Sequence, residues 1–384
     1  MLIIGGALLS LLIWIYLLLA RGAFWRTGAI PQAAAVVGAS QSSVAVVVPA
    51  RNEAAVVGES IRSLLSQSGA HSVRVFLVDD GSTDTTAEVA RAAAIQAGKP
   101  EALTIITGAP PQGWSGKVWA MQQGVERAQA IAPDFYLFTD ADVVHAPDSI
   151  ATLVAIAGHG PYDLVSFMVK LHCRSFAEKL LIPAFVFFFF MLYPPTWIAD
   201  PRRKIAGAAG GCILLRPESL ERAGGLAPIR SEIIDDCALA ARVKTSGGRL
   251  WLGLSAGTKS VRPYEGFAGI GRMISRTAFN QLGHSIMVLF LSLIGLAIVY
   301  LAPPLFLFSH SLAARFCGAA ACVAMVIAYL PMVRFYRLNP LWALTLPASA
   351  LFYIGATFHS AYRFWAGRGG EWKGRIQDPQ QNGS

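Results

Sequence analysis

Three short clusters in the first half of the 384-residue chain have residue types and spacing suited to chemistry. The first is Pro49-Ala-Arg51-Asn-Glu53, the second Asp79-Asp80-Gly-Ser-Thr-Asp84, and the third Thr139-Asp140-Ala-Asp142. Each alone has an ordinary explanation, because Asp-Gly and Ser-Thr-Asp are common turn and helix-capping residues. Together, in this order, they are harder to dismiss. Two carboxylates one residue apart, Asp140 and Asp142, suit a hard divalent cation that neutralises a diphosphate as a bond to it breaks. Asp79 or Asp80 suits a ribose or a base, as acidic residues after strands do in other nucleotide-binding folds.

The elements that must position these residues are legible as periodic runs. Ser43 to Pro49, Val73 to Asp79, Thr104 to Thr107 and Phe135 to Thr139 are short apolar segments. Helical stretches such as Glu53 to Gln67 and Thr83 to Ala97 lie between them. Apolar strands alternating with helices predict an α/β domain with a mostly parallel sheet and helices on both faces. In such sheets ligands gather at the carboxyl ends of the strands, where all three clusters fall.

Part of the chain is built for lipid. Hydrophobic residues make up 54% and charged residues only 14%, against about 25% charged in an ordinary soluble domain. Mean hydropathy is +0.49. The net charge of +9 reads as loops facing an anionic leaflet. No basic run alternates with aromatics, which argues against a nucleic-acid partner. Five cysteines without CxxC spacing argue against a zinc site or a disulfide framework. Leu2 to Ala20 is apolar and long enough to span a bilayer, and Arg21 and Arg26 follow it, so the next segment is expected in the cytoplasm. Three further apolar segments, Leu282 to Phe308, Phe316 to Met332 and Leu341 to Tyr362, form a C-terminal membrane region. Three crossings after a cytoplasmic domain leave the tail outside, yet the tail carries Arg363, Arg368, Lys373 and Arg375. Either one segment is re-entrant or the first run folds back at Pro303-Pro304. Leu180 to Ile198 is equally apolar but contains Pro183, Pro194 and Pro195. It reads as an interfacial helix laying Phe187 to Phe190 into the membrane surface, or else as a buried core helix. The expected organisation is an anchor at 1–22, an α/β domain at 40–275 with an interfacial segment at 178–199, a membrane region at 280–365 and a polar tail at 366–384.

The series Pro-Ala-Arg-Asn-Glu, Val-Asp-Asp-Gly-Ser-Thr-Asp and Asp-Ala-Asp resembles the family 2 glycosyltransferases of GT-A fold, over roughly Val44 to Pro263. The resemblance implies inverting transfer from a nucleotide-sugar, here expected to be a UDP-sugar, with Mg2+ or Mn2+. Pro49, Arg51, Glu53, Asp79 and Asp80 would then shape or contact the nucleoside site, and Asp140 and Asp142 would hold the metal. Gly116-Lys117-Val-Trp-Ala120 resembles the family's Gly-Lys-x-x-Ala segment, placing Lys117 near the phosphates. Ala206 to Gly211 resembles a glycine-rich acceptor-side loop, in which Gly210 and Gly211 admit a close approach. Asp235-Asp236-Cys-Ala-Leu239 resembles the Glu-Asp-x-x-Leu motif, with Asp235 where Glu is usual and Asp236 as general base. The processive motif Gln-x-x-Arg-Trp is not kept around Arg276, which implies one transfer per acceptor, with Arg276 near the phosphates. Gly113 to Lys117, Ala199 to Arg203 and Arg276 to Leu282 resemble the bacterial hopanoid-biosynthesis-associated membrane glycosyltransferases. That likeness implies a multi-pass protein of the bacterial inner membrane, with a cytoplasmic catalytic domain and a lipid acceptor such as a hopanoid. The alternative acceptor is a polyprenyl phosphate.

Overall fold

The computed structural model describes residues 1–28, 41–69, 71–108, 110–367, 371–372 and 375–376. Most of the polar tail, including Arg368 and Lys373, lies outside the described residues. In chain order the first elements are α1 (Leu2–Leu19), β1 (Ser43–Ala50), α2 (Val57–Leu65), β2 (Ser72–Asp79), α3 (Thr86–Gln96) and β3 (Leu103–Thr107). Then come α4 (Gly116–Ala128), β4 (Phe135–Thr139), β5 (Val143–Val144), α5 (Ser149–His159) and β6 (Leu164–Lys170). They are followed by α6 (Phe176–Leu192), α7 (Pro195–Ala199), β7 (Cys212–Leu215), α8 (Pro217–Arg222), α9 (Asp235–Thr245) and β8 (Leu250–Ser260). The last helices are α10 (Gly266–Gln281), α11 (Ile286–Leu296), α12 (Ala302–Phe306), α13 (Leu312–Phe335) and α14 (Leu346–Trp365). Two compact units emerge. One is helical, from Met1–Thr27, His172–Thr196 and Pro263–Gly370; the other holds the main sheet, from Gly28–Leu171 and Trp197–Arg262. Residues 263–275, expected in the α/β domain, therefore stand in the helical unit.

In the sheet unit the strand order is β3-β2-β1-β4-β7-β6-β8-β5. β1 is central and buried on both faces, which is why Val44 to Val48 read as an unbroken apolar run. β3, β2, β1 and β4 run parallel, with Ala50 level with Asp79 and Asp79 level with Thr107. The sheet is nevertheless mixed rather than mostly parallel, because β7 runs antiparallel to both β4 and β6, and β5 to β8. The inversion has a consequence for the ligand edge. β7 starts where β4 ends, Cys212 facing Thr139, so the glycine loop before β7 arrives beside Asp140. α4 lies close on β1 through Gly124, where a Cβ would stand 2.4 Å from Val47 Cγ1. That approach sets the height of Lys117 in the first turn of α4.

The helical unit contains several helices apolar enough to cross a membrane. Five described segments meet the length and composition: Leu2–Leu19, Phe176–Ala199, Ile286–Phe306, Leu312–Phe335 and Pro340–Trp365. The run at Pro303-Pro304 does not fold back. A π-helical turn at Ala297–Leu301 carries α11 into α12. The phenylalanine run is mostly inward: Phe187 packs on Phe24 and Tyr329, Phe188 on Tyr300 and Tyr353, and Phe190 is buried. For these three side chains the buried-core alternative is the one observed, because neighbouring helices supply an aromatic lining for them.

Candidate active site

The carboxyl end of β1 turns through Asn52, which adopts a left-handed conformation (φ 53°) that asparagine tolerates well. The turn is locked to the end of β2. Asn52 N–H donates to Ser82 Oγ at 2.9 Å, and Asn52 Oδ1 accepts from the Thr83 N–H at 2.8 Å. Asp79 accepts from the Ser82 N–H at 2.8 Å and so closes the turn. Arg51 braces Asp80, donating to its carbonyl and lying 3.6 Å from its carboxylate. Asp80 and Glu53 are buried. Pro49 is buried inside β1 opposite Val78 and shapes the strand end without offering a polar group.

The end of β4 carries the carboxylate pair. Asp140 is the more open, its side chain 39% exposed. Asp142 accepts from Ser260 Oγ at 2.9 Å and pairs with Arg262 Nε at 3.3 Å. The same guanidinium pairs with Glu53, so Arg262 ties the β1 turn to the β4 turn. Burial and the nearby Asp140 push the Asp142 carboxyl up, against Arg262 and the Ser260 hydroxyl.

Lys117 joins this pair to the first turn of α9. Its ammonium lies 3.1 Å from Asp140 Oδ1 and 3.4 Å from Asp235 Oδ2. Burial alone would lower this lysine, but Asp140, Asp235 and Asp236 outweigh it and raise it. Asp236 Oδ2 accepts from the Gly210 N–H and Oδ1 from the Cys237 N–H, both at 2.7 Å. Burial and the adjacent Asp235 push Asp236 up to about 6, against Lys117 and those two N–H groups. Gly210 leaves room for this packing: a Cβ would stand 3.1 Å from both Asp236 Oδ2 and Lys117 Nζ, a tight approach. Gly211 O accepts from the Thr139 hydroxyl at 2.8 Å, which fixes the glycine loop to β4.

Seven carboxylates (Glu53, Asp79, Asp80, Asp140, Asp142, Asp235 and Asp236) thus share one strand edge with three cations, Arg51, Lys117 and Arg262. The excess of negative charge, and the raised Asp142, fit a divalent cation. Among the described residues no three His, Cys, Asp or Glu side chains converge as a cage. Two protein carboxylates completed by phosphate and water oxygens are what Mg2+ commonly takes.

Arg276 is exposed on α10 of the helical unit. Two contributors escape the sequence reading. Arg262 stands in no motif, and its only local signal is its place just after the last long strand. His145 is buried and pushed down to about 4, hence neutral. Because Thr139 Oγ1 donates to Gly211 O, His145 Nε2–H donates to Thr139 Oγ1 at 2.9 Å.

Residues 45–224 match the model of the family described as glycosyl transferase family 2. The chain carries a glycosyl transferase family 2 domain. The chain is 32% identical over 128 residues to the undecaprenyl-phosphate 4-deoxy-4-formamido-L-arabinose transferase of Pseudomonas savastanoi pv. phaseolicola, covering 32% of this chain and 34% of that one. It is 33% identical over 116 residues to the 4,4'-diaponeurosporenoate glycosyltransferase of Staphylococcus aureus, covering 30% and 28%. The match thus spans about a third of the length of these curated relatives. Among solved structures, the mannosyltransferase PcManGT from Pyrobaculum calidifontis, in complex with GDP-Man and Mn2+, aligns over 93% of this chain and 95% of its own. Its TM-score is 0.54 at 20% identity, a likeness of fold. The fold is GT-A-like, an α/β domain with a mixed sheet, accompanied by apolar helices that could span a membrane.

Proposed function

We propose that this chain transfers a sugar, with inversion, from a nucleoside-diphosphate sugar to a lipid acceptor at the cytoplasmic face of a bacterial inner membrane. The observation that carries the reading is the cluster of Lys117, Asp140, Asp235 and Asp236 at the strand edge of a family 2 domain. Asp140 and Asp142 would hold Mg2+ or Mn2+, which when bound supplies Lewis-acid stabilisation of the departing diphosphate. The turn at Arg51 to Glu53, with Asp79 and Asp80, binds the nucleoside. Asp236 accepts the proton of the acceptor hydroxyl as it attacks the anomeric carbon, and a carboxyl poised near 6 is ionised yet basic at neutral pH. Lys117 balances charge beside the phosphates. The donor proposed is a UDP-sugar and the acceptor a polyisoprenoid alcohol such as a hopanoid. The Mn2+ and GDP-Man in the mannosyltransferase complex support a metal and a nucleotide-sugar.

A second reading, a polyprenyl-phosphate acceptor, is favoured by the undecaprenyl-phosphate relative. One experiment addresses both. The purified full chain in detergent is incubated with a panel of nucleotide-sugars, lipid alcohols or polyprenyl phosphate, and Mn2+ or Mg2+, and nucleotide release is measured. Release with one donor, lost on adding EDTA, is the expected result. Full release in excess EDTA overturns the metal role, and no release with any pair overturns transfer. A product labile to mild acid selects the phosphate acceptor.

A further inference from the structure

The ammonium of Lys117 occupies an unusual position. It touches one member of the proposed metal pair, Asp140, and one member of the proposed base pair, Asp235, at 3.1 and 3.4 Å. The glycine at 210 leaves it room against Asp236, since a Cβ there would meet both groups at 3.1 Å. Asp140 is the most open of these carboxylates, so a cation from solvent can reach it. Asp142, by contrast, is already held by Ser260 and Arg262. A divalent cation entering this site therefore competes with Lys117 for Asp140, and with Arg262 and the Ser260 hydroxyl for Asp142.

Resting on the reading above, we infer that Lys117 is a shared counter-ion that guards Asp140 and gives it up to a divalent cation only when a diphosphate arrives to take the ammonium in exchange. Without nucleotide, metal binding strips Lys117 of one partner and places two like charges close together. With a diphosphate present, the lysine exchanges a carboxylate for a phosphate oxygen and the repulsion is relieved. Metal and donor thus bind as one unit, and a metal bound alone in the site is disfavoured. The coupling is reciprocal, as any linkage between two ligands must be.

The test is Mn2+ binding to the full chain in detergent, followed by electron paramagnetic resonance, alone and with UDP or GDP. Wild type should bind Mn2+ weakly alone and on the order of tenfold more tightly with one of the nucleotides. Lys117→Met should bind Mn2+ alone on the order of tenfold more tightly than wild type and gain little from nucleotide. Lys117→Arg should keep the coupling. Because Lys117→Met leaves carboxylates uncompensated, the charge-balanced pair Lys117→Met/Asp235→Asn is measured against Asp235→Asn and should show the same gain. Mn2+ affinity that does not rise in either comparison overturns the inference while leaving the transfer reading in place. Tighter Mn2+ binding in a chain that transfers no sugar upholds the inference and removes that reading. Mn2+ binding to none of the proteins overturns both the inference and the metal site.

Discussion

The base is where single residues matter most. Asp236→Asn keeps the size of the side chain but turns one of two acceptors into a donor facing a backbone N–H of Gly210 or Cys237. It should lower kcat by roughly 10²- to 10⁴-fold, the usual worth of a general base, with donor affinity by calorimetry changed far less. A near-normal rate for Asp236→Asn with a dead Asp235→Asn would move the role by one residue. The pH profile gives an independent check. Asp236 works ionised and its carboxyl sits near 6, so kcat/KM should rise with pH up to about 6 and flatten above it. A flat profile from pH 5 to 8 would count against this assignment. Arg262→Gln makes a different prediction. It leaves Glu53 and Asp142 without their shared guanidinium and should raise the donor KM more than it lowers kcat. Glu53, Asp79, Asp80, Asp140 and Asp142 are legible in sequence because they stand at or just after strand ends, whereas Asp235 and Asp236 open α9 and are reached only through the motif they resemble. Arg262 is not legible, because its partners lie 209 and 120 residues away and no local pattern announces them.

At the scale of elements, the strands are legible because β1 and its neighbours are buried on both faces and read as plain apolar runs. β7, four residues long, is not among the strands read from the sequence, and its inverted direction follows from the long helical excursion before it. The π-helical turn in the membrane unit is the clearest element-level device. Pro303 has no N–H to give the Val299 carbonyl, and Ala302 N–H is drawn to Ala297 instead of Ile298. The two orphaned carbonyls are taken up by α1: Ser10 Oγ donates to Ile298 O at 2.9 Å and Trp14 Nε1 to Val299 O at 2.8 Å. In lipid no water replaces these donors. Ser10→Ala with Trp14→Phe should therefore destabilise the unit by about 1–2 kcal/mol per bond, read as a lower Tm in detergent. Leu9→Ala, on the exposed face of α1, should cost much less. Restoring the backbone donor with Pro303→Ala should shrink the cost of losing Trp14. An undiminished cost would mean that Trp14 contributes by packing against Tyr300 alone.

For the whole molecule the open quantity is how many helices cross the bilayer, and the sheet itself supplies the first constraint. β6 and β7 pair, Leu164 facing Leu215, so the chain leaves and rejoins the same side of any membrane. α6 and α7, which lie between these strands, are therefore not expected to cross it, despite being long and apolar enough. The second constraint comes from α10, which exposes Arg272 and Arg276 one turn apart and so is unsuited to the hydrocarbon core. α14 runs beside α10 in the same direction: Phe267 meets Phe352, Ser275 meets His359 and Phe279 meets Phe364. A helix so aligned shares the inclination of its neighbour, and α14 is expected to lie along the membrane face with α10. Three crossings are then expected, by α1, by α11 with α12, and by α13. Such a layout would put Arg21, Arg26, Arg334, Arg337 and Arg363 on one face of the bilayer, as the positive-inside tendency asks, and residues 307–311 on the other. The excess of basic residues after α14 is then no longer at odds with the rest. Single cysteines in a chain whose five native cysteines are replaced can test this in intact cells with a membrane-impermeant maleimide. Ser309→Cys should label at once, whereas Arg202→Cys, Arg337→Cys and Ala366→Cys should label only after the membrane is opened. Labelling of Ala366→Cys in intact cells would show that α14 crosses, and labelling of Arg202→Cys would reverse the orientation of the whole chain.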